Sequence, residues 1–391
     1  MIRKTIFKDE LRYVFSLHPD KLTEGNKDRV IHAIFENPLT LSKQYMLKKE
    51  LNHLDDLSAE LSKILLNREV VGAINNLFLI QDDLELPAEL KNMFLRNEKV
   101  GVFVGAGVSK LLGIPLWGEL GDRAIEYLYK INRINYFEYQ RIIGDVIDPK
   151  QKLTIFHKLL PKNTTEAKEF YQKALVTAGK QNIKNPYDLI VEIGWIKFSS
   201  NIDMEFFNAI RRKLEQSLIV SEQSSEGQSA VKKKEAKTVT NNFDLNHLDY
   251  ETVYQIHGSV DNLENSILTT EDYIKAYYEE SELKRFLNKL FREYTIIFVG
   301  YGLEEFSILE HIIKTSKKHY ALISTYLNEM NLFRLHSEYF NTLNIKPIPF
   351  YLDFSGYERL ISVIDAWNQQ INESRIKDYY QKVQIIDKLV D

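Results

Sequence analysis

Ser199-Ser200-Asn201-Ile202-Asp203 places an amide and a carboxylate two residues apart, just after the apolar run Trp195–Phe198. Alternate residues of an extended chain share a face, so Asn201 and Asp203 can address one cleft. An amide there holds a hydroxyl or a water and a carboxylate orients it; an N-cap or turn role uses the same two residues. Ile256-His257-Gly258-Ser259 puts a lone histidine at the end of a second run. Imidazole titrates near neutrality and suits general-base work, although a hydrogen-bonded structural histidine is the alternative.

A third segment, Val104-Gly105-Ala106-Gly107-Val108-Ser109, follows an apolar run and opens toward a helical pattern. Glycines there let the backbone turn tightly and approach phosphate oxygens, so Gly105, Ala106, Gly107 and Ser109 can cradle a pyrophosphate. A tight strand-to-helix turn is the plainer reading. Lys110 occupies the place of the third glycine of G-x-G-x-x-G, and no second strand ends in an acidic residue about 20 residues on. That disfavours a nicotinamide oxidoreductase. Gly113-Ile114-Pro115-Leu116-Trp117 bends the chain and can fold back as a lid carrying Pro115 and Trp117, or lie as a surface turn. Gly300-Tyr301-Gly302 offers a second glycine-lined wall after another apolar run.

The elements that position these segments are strands. Val100–Val104, Trp195–Phe198, Thr252–Ile256, Thr295–Val299, Tyr320–Ser324 and Ile345–Phe350 are short apolar or β-branched runs, separated by helical patterns such as Leu120, Ala124, Tyr127 and Leu128. Strands alternating with helices predict an α/β fold: a Rossmann-like, mainly parallel sheet with helices on both faces. Pro347 and Pro349 send the last strand to a sheet edge. Ligands of such sheets sit at the carboxyl ends of the strands, where all four segments fall.

Residues 1–97 read as a helical N-terminal region for packing or oligomerisation, with Leu54, Leu57, Leu61, Ile64 and Leu65 on one face and Pro87 opening a short helix. Residues 98–370 form the candidate catalytic domain, interrupted at 221–242 by a polar stretch expected to be a mobile loop. Residues 371–391 carry Ile376, Tyr379, Tyr380, Val383, Ile386 and Val390 at helical spacing, a C-terminal amphipathic helix that docks on its own domain or on a neighbour.

Composition removes several classes. The 391 residues include 44% hydrophobic side chains, enough for a large core, and 51 basic against 55 acidic residues give a formal charge of -4. Nothing global points to nucleic acid or to an acidic membrane surface. The chain has no cysteine, so disulfides and thiolate zinc sites are excluded. No apolar stretch approaches the roughly 20 residues that span a bilayer, and the first residues lack a signal-peptide pattern, so a cytoplasmic location is expected.

Taken together, G-A-G-x-S at Gly105–Ser109, G-I-P at Gly113–Pro115, S-x-N-I-D around Asn201, H-G at His257 and Gly300-Tyr301-Gly302-Leu303 resemble the Sir2 (sirtuin) family, over about residues 98–365. The resemblance implies an NAD⁺ site: Gly105, Ala106 and Gly107 near the pyrophosphate, Asn201 and Asp203 by the nicotinamide ribose, and His257 as base. The deacylases of that family carry a four-cysteine zinc module and an Asp-Phe-Arg after G-I-P. Here there is no cysteine, and Leu116-Trp117-Gly118 follows instead. No zinc is expected. The departures match the SIR2-like domains of bacterial anti-phage defence, in which members consume NAD⁺. The implied activity is NAD⁺ hydrolysis in abortive infection, by a homo-oligomer under a regulatory partner such as an ATPase or helicase-like subunit. A protein deacylase or ADP-ribosyltransferase, and a non-catalytic nucleotide-sensing subunit, are the rival readings.

Overall fold

The computed structural model describes residues 84–176, 183–224, 234–303, 305–326 and 329–390. The helical stripe at Leu54–Leu65 lies outside them. The chain divides into two compact units. One comprises Leu86–Ile323, Leu335–Ile348 and Ile361–Asp391; the other comprises Met1–Glu85, Ser324–Arg334 and Pro349–Leu360. The short helix that follows Pro87, Ala88–Leu95, belongs to the first unit.

Seven strands form one sheet: β1 (Val100–Val104), β2 (Ile196–Ser199), β3 (Lys237–Val239), β4 (Thr252–Gln255), β5 (Thr295–Val299), β6 (His319–Thr325) and β7 (Ile345–Tyr351). Their order is β3-β4-β2-β1-β5-β6-β7. The pairings from β3 through β6 are all parallel. The fold is α/β and Rossmann-like. β1 lies at the centre, with β2 on one side and β5 on the other, so the chain order reverses beside it; open α/β sheets bind ligands at such a point. β7, with its two prolines, is the outermost strand on its side, where a missing amide does least damage.

Every residue of β1, β2 and β5 is buried. Phe103, Phe198, Tyr254 and Phe298 share one sheet face and pack with Leu283, Phe286, Leu287, Leu290 and Phe291. Those five repeat at helical spacing along Glu282–Glu293, which Ser281 caps at Lys284 N. A second core is built between helices: Leu120, Ala124, Ile125 and Leu128 of Trp117–Lys130 meet Leu153 and Phe156 of Pro149–Leu159 and Phe170 and Tyr171 of Thr165–Ala174.

Two expectations are corrected in detail. The stretch 221–242 is not loop throughout: the helix Glu205–Ser224 covers its start and Lys237–Val239 is the edge strand β3. Three residues, half-exposed and led by lysine, carry no alternation that would reveal a strand. The C-terminal helix is continuous over Arg359–Val390 and does not begin at 371. Its buried stripe is Ile361, Val363, Ile364, Trp367 and Ile371, whereas Ile376 is 56% exposed.

Candidate active site

Parallel register brings the four segments to one edge. Val104 pairs with Ser199 and Val299, and Ser199 pairs with Gln255. The ladder then extends one residue further: Ser200 N donates to Val104 O at 3.1 Å, Ile256 N to Ser199 O at 2.9 Å, and Gly105 N to Val299 O at 3.0 Å. Gly105, Ser200, Ile256 and Gly300 therefore leave the sheet side by side at its carboxyl edge.

The glycines first serve each other. Gly107 N donates to Gly300 O at 2.8 Å. A Cβ on Gly105 would lie 2.6 Å from Gly300 O, and one on Gly300, whose φ is +61°, would lie 2.6 Å from Val108 N. Side chains at these positions would wedge β1's exit away from β5's exit. The 113–117 segment folds back over this turn, held by Ile114 N donating to Ser109 O at 3.2 Å. Ile114, Pro115, Trp117, Ala106, Ser109, Asn201 and Asp203 line a cleft that encloses about 280 Å³, part of it open to solvent.

A buried polar network forms the cleft's inner wall. Ser109 Oγ donates to Asp203 Oδ2 at 2.8 Å and lies 2.6 Å from the Tyr187 hydroxyl. Asn201 Nδ2 reaches Ser109 Oγ at 2.8 Å, Tyr187 OH at 2.9 Å and Gly105 O at 3.1 Å. Tyr187 is delivered by the helix Pro186–Ile193, which Asn185 caps at Tyr187 N. Burial raises the Asp203 pKa to about 6, against the opposing bonds from Ser109 and from Glu205 N. The Glu205 N bond is a turn contact, so Asp203 fills the local and the cleft roles together.

Backbone carbonyls of the same loop are held by the histidine segment. Gln255 Nε2 donates to Asn201 O at 3.0 Å and Asp203 O at 2.7 Å, and Val260 N donates to Ile202 O at 2.8 Å. The three carbonyls of 201–203 are thus bound by residues bracketing His257. Asn201 Oδ1, Gln255 Oε1 and His257 Nδ1 are buried without a hydrogen-bond partner. Such orphans are few in a folded protein and invite a ligand or a water.

His257 is fully buried and does not line the cleft. Trp117 links the two, because it lines the cleft and meets the imidazole edge-on at a centroid distance of 6.0 Å. Tyr273 and Tyr277 enclose the ring further, at 5.3 and 6.0 Å. Burial pushes the imidazole below its ordinary pKa, with Glu305 opposing. Tyr301 sits beside Phe103 and Phe298 and donates to Glu305 Oε2 at 2.6 Å, so its hydroxyl faces a carboxylate.

Tyr187, Gln255, Tyr277 and Glu305 are not visible as site residues from spacing. A glutamine inside an otherwise apolar strand and the helix-spaced pair Tyr273/Tyr277 were the available signals. Among the described residues, no group of three or more His, Asp or Glu side chains is arranged for a metal ion. No described helix is long and apolar enough to cross a membrane.

An α/β sheet with reversed chain order and a polar cleft at its carboxyl edge defines a class of fold that binds ligands at that edge. A family model of the SIR2-like domain matches residues 210–348, which include His257 and Gly300–Gly302 but not Gly105, Asn201 or Asp203. The match supports assignment to the Sir2-like family, with an NAD-related role consistent with an NAD-utilising enzyme. No curated protein matches the chain.

Proposed function

We propose that this chain is an NAD⁺ glycohydrolase, cleaving NAD⁺ with water to ADP-ribose and nicotinamide. The observation that carries the reading is the shared edge: Asn201 and Asp203 on one loop, pinned by Gln255 and Val260 to the segment bearing His257. The fit to a nucleotide rests on the orphaned acceptor Asn201 Oδ1 in a cleft that lacks a cationic lining. That chemistry suits a ribose hydroxyl better than a phosphate. The enclosed part of the cleft is far smaller than the roughly 300–1,000 Å³ typical of ligand pockets, so a whole dinucleotide extends beyond it.

In the reaction the C1′–N bond breaks with its electron pair passing to the pyridinium nitrogen, which leaves as neutral nicotinamide. Water oxygen bonds to C1′ and gives up one proton. Asn201 holds the ribose or that water, Asp203 fixes Ser109 and through it the Asn201 amide, and His257 accepts the proton. Burial keeps His257 neutral and therefore able to accept. General-base help of this kind is worth roughly 10²–10⁴ in rate.

NAD⁺ depletion fits an effector of anti-phage defence, restrained until assembly with further copies or with a regulatory subunit. Purified protein, with any cognate partner added, should release nicotinamide from NAD⁺. Asn201→Ala and His257→Ala should abolish the release, and undiminished turnover in both variants would remove the assignment. A native mass equal to one 45.9 kDa chain in fully active protein would remove the assembly requirement.

A further inference from the structure

We infer that Tyr277 is a positioning residue that fixes the tautomer of His257, keeping the proton on Nδ1 and the Nε2 lone pair on its own hydroxyl, so that a proton reaches Nε2 by way of that hydroxyl. Among the described residues, the only hydrogen bond of the His257 ring is between Nε2 and the Tyr277 hydroxyl, at 2.8 Å. Both groups are fully buried, so no solvent competes.

Two arrangements of the proton are available. If Nε2 carried it and donated to the Tyr277 oxygen, the Tyr277 hydrogen would have no acceptor among the described residues. Nδ1 would then be a buried bare acceptor as well. If Tyr277 donates to Nε2, its hydrogen is used and the Nδ1–H alone is left without a partner. The second arrangement leaves fewer buried groups unpaired.

The backbone around Tyr277 is shaped for this contact. Thr270–Tyr273 is an α-helical turn closed by a capping box, and it runs directly into a π-helical turn at Ile274–Tyr278. Widened turns of this kind concentrate at functional sites because they re-aim a side chain. Tyr277 stacks on Tyr273 at 5.7 Å while its hydroxyl meets His257. The charged groups acting on the imidazole are Glu305, bonded to Tyr273, and Lys150, 4.0 Å from Glu305 and over the Tyr273 ring.

Only the kinetic part of the test rests on the glycohydrolase reading. In full-length protein labelled with ¹⁵N-histidine, His257 should report a neutral ring protonated at Nδ1. Tyr277→Phe keeps the stacked ring and removes the hydroxyl. It should mix the two tautomers and raise the pH at which His257 protonates by about 0.5–1 unit, since the lost bond favours the neutral ring. With NAD⁺, kcat should fall about tenfold while KM and the calorimetric binding stoichiometry hold. A wild-type ring protonated at Nε2, or spectra and kcat unchanged in Tyr277→Phe, would overturn the assignment. Because the spectra need no NAD⁺, a protein that neither binds nor cleaves it would refute the glycohydrolase reading and leave this test intact.

Discussion

Asp203→Asn should change the protein's stability with pH in a defined direction. The Asp203 carboxyl is fully buried and titrates at about 6 rather than 3.8. The folded state therefore binds a proton more tightly than the unfolded chain. This favours folding fully below pH 3.8, and the advantage is lost as pH rises through about 6. A shift of about 2 units amounts to about 3 kcal/mol. Asparagine has nearly the same shape and does not titrate. The stability of Asp203→Asn relative to wild type should therefore rise by about 3 kcal/mol between pH 3 and pH 8, whatever its offset at pH 3. At about 2 °C per kcal/mol for a chain of this size, that is about 6 °C in melting temperature. Scanning calorimetry of both proteins across the pH range measures the difference, and other titrating groups cancel in it. A difference that stays flat, or that shrinks as pH rises, would refute the description of Asp203 as a desolvated carboxylate.

Gly300→Ala combines a left-handed backbone with a Cβ 2.6 Å from Val108 N. It should destabilise by about 2–5 kcal/mol from the two effects together, read by thermal unfolding. A variant as stable as wild type would show that the β1 and β5 exits do not interlock. Gln255→Met removes the donor to the Asn201 and Asp203 carbonyls and strands two buried acceptors, for a loss of about 2–6 kcal/mol. Its nicotinamide release should fall further than its folded fraction, since the 201–203 loop is no longer tied to His257; equal losses would make Gln255 purely structural.

Much of the frame was legible in the chain. The limits of β1 and β5 coincide with Val100–Val104 and Thr295–Val299 because both are unbroken apolar runs, each followed by a glycine that ends the pattern. β3 was not, since its placement depends on pairing with β4 and not on any preference of Lys237-Thr238-Val239. The site divides along the same line. Asn201, Asp203 and His257 announce themselves as polar residues at strand ends. Tyr187 reads as an ordinary helical aromatic, and only the tertiary fold brings its hydroxyl, 14 residues before Asn201, to 2.9 Å from that amide. In the glycine loop, where spacing suggests phosphate contact, the amides of Gly105 and Gly107 bond Val299 and Gly300.

The distribution of unfavourable features is itself an argument for chemistry at this edge. Elsewhere in the sheet-bearing unit some buried polar groups are absorbed locally, as when Lys197 donates to the Trp195 and Tyr250 carbonyls, while others, such as His311 Nε2 and His319 Nε2, have no partner. At the carboxyl edge the fold tolerates a carboxyl raised to about 6, an imidazole depressed by burial, and unpartnered polar atoms on Asn201, Gln255 and His257. Apolar replacements would remove each of these penalties, and a sequence shaped for stability alone would carry them. What distinguishes this edge is that the raised carboxyl and an orphaned acceptor meet at one cleft, where chain order reverses beside β1. Of the three orphaned residues Asn201 lines the cleft, and a ligand's hydroxyl donor there would satisfy its Oδ1.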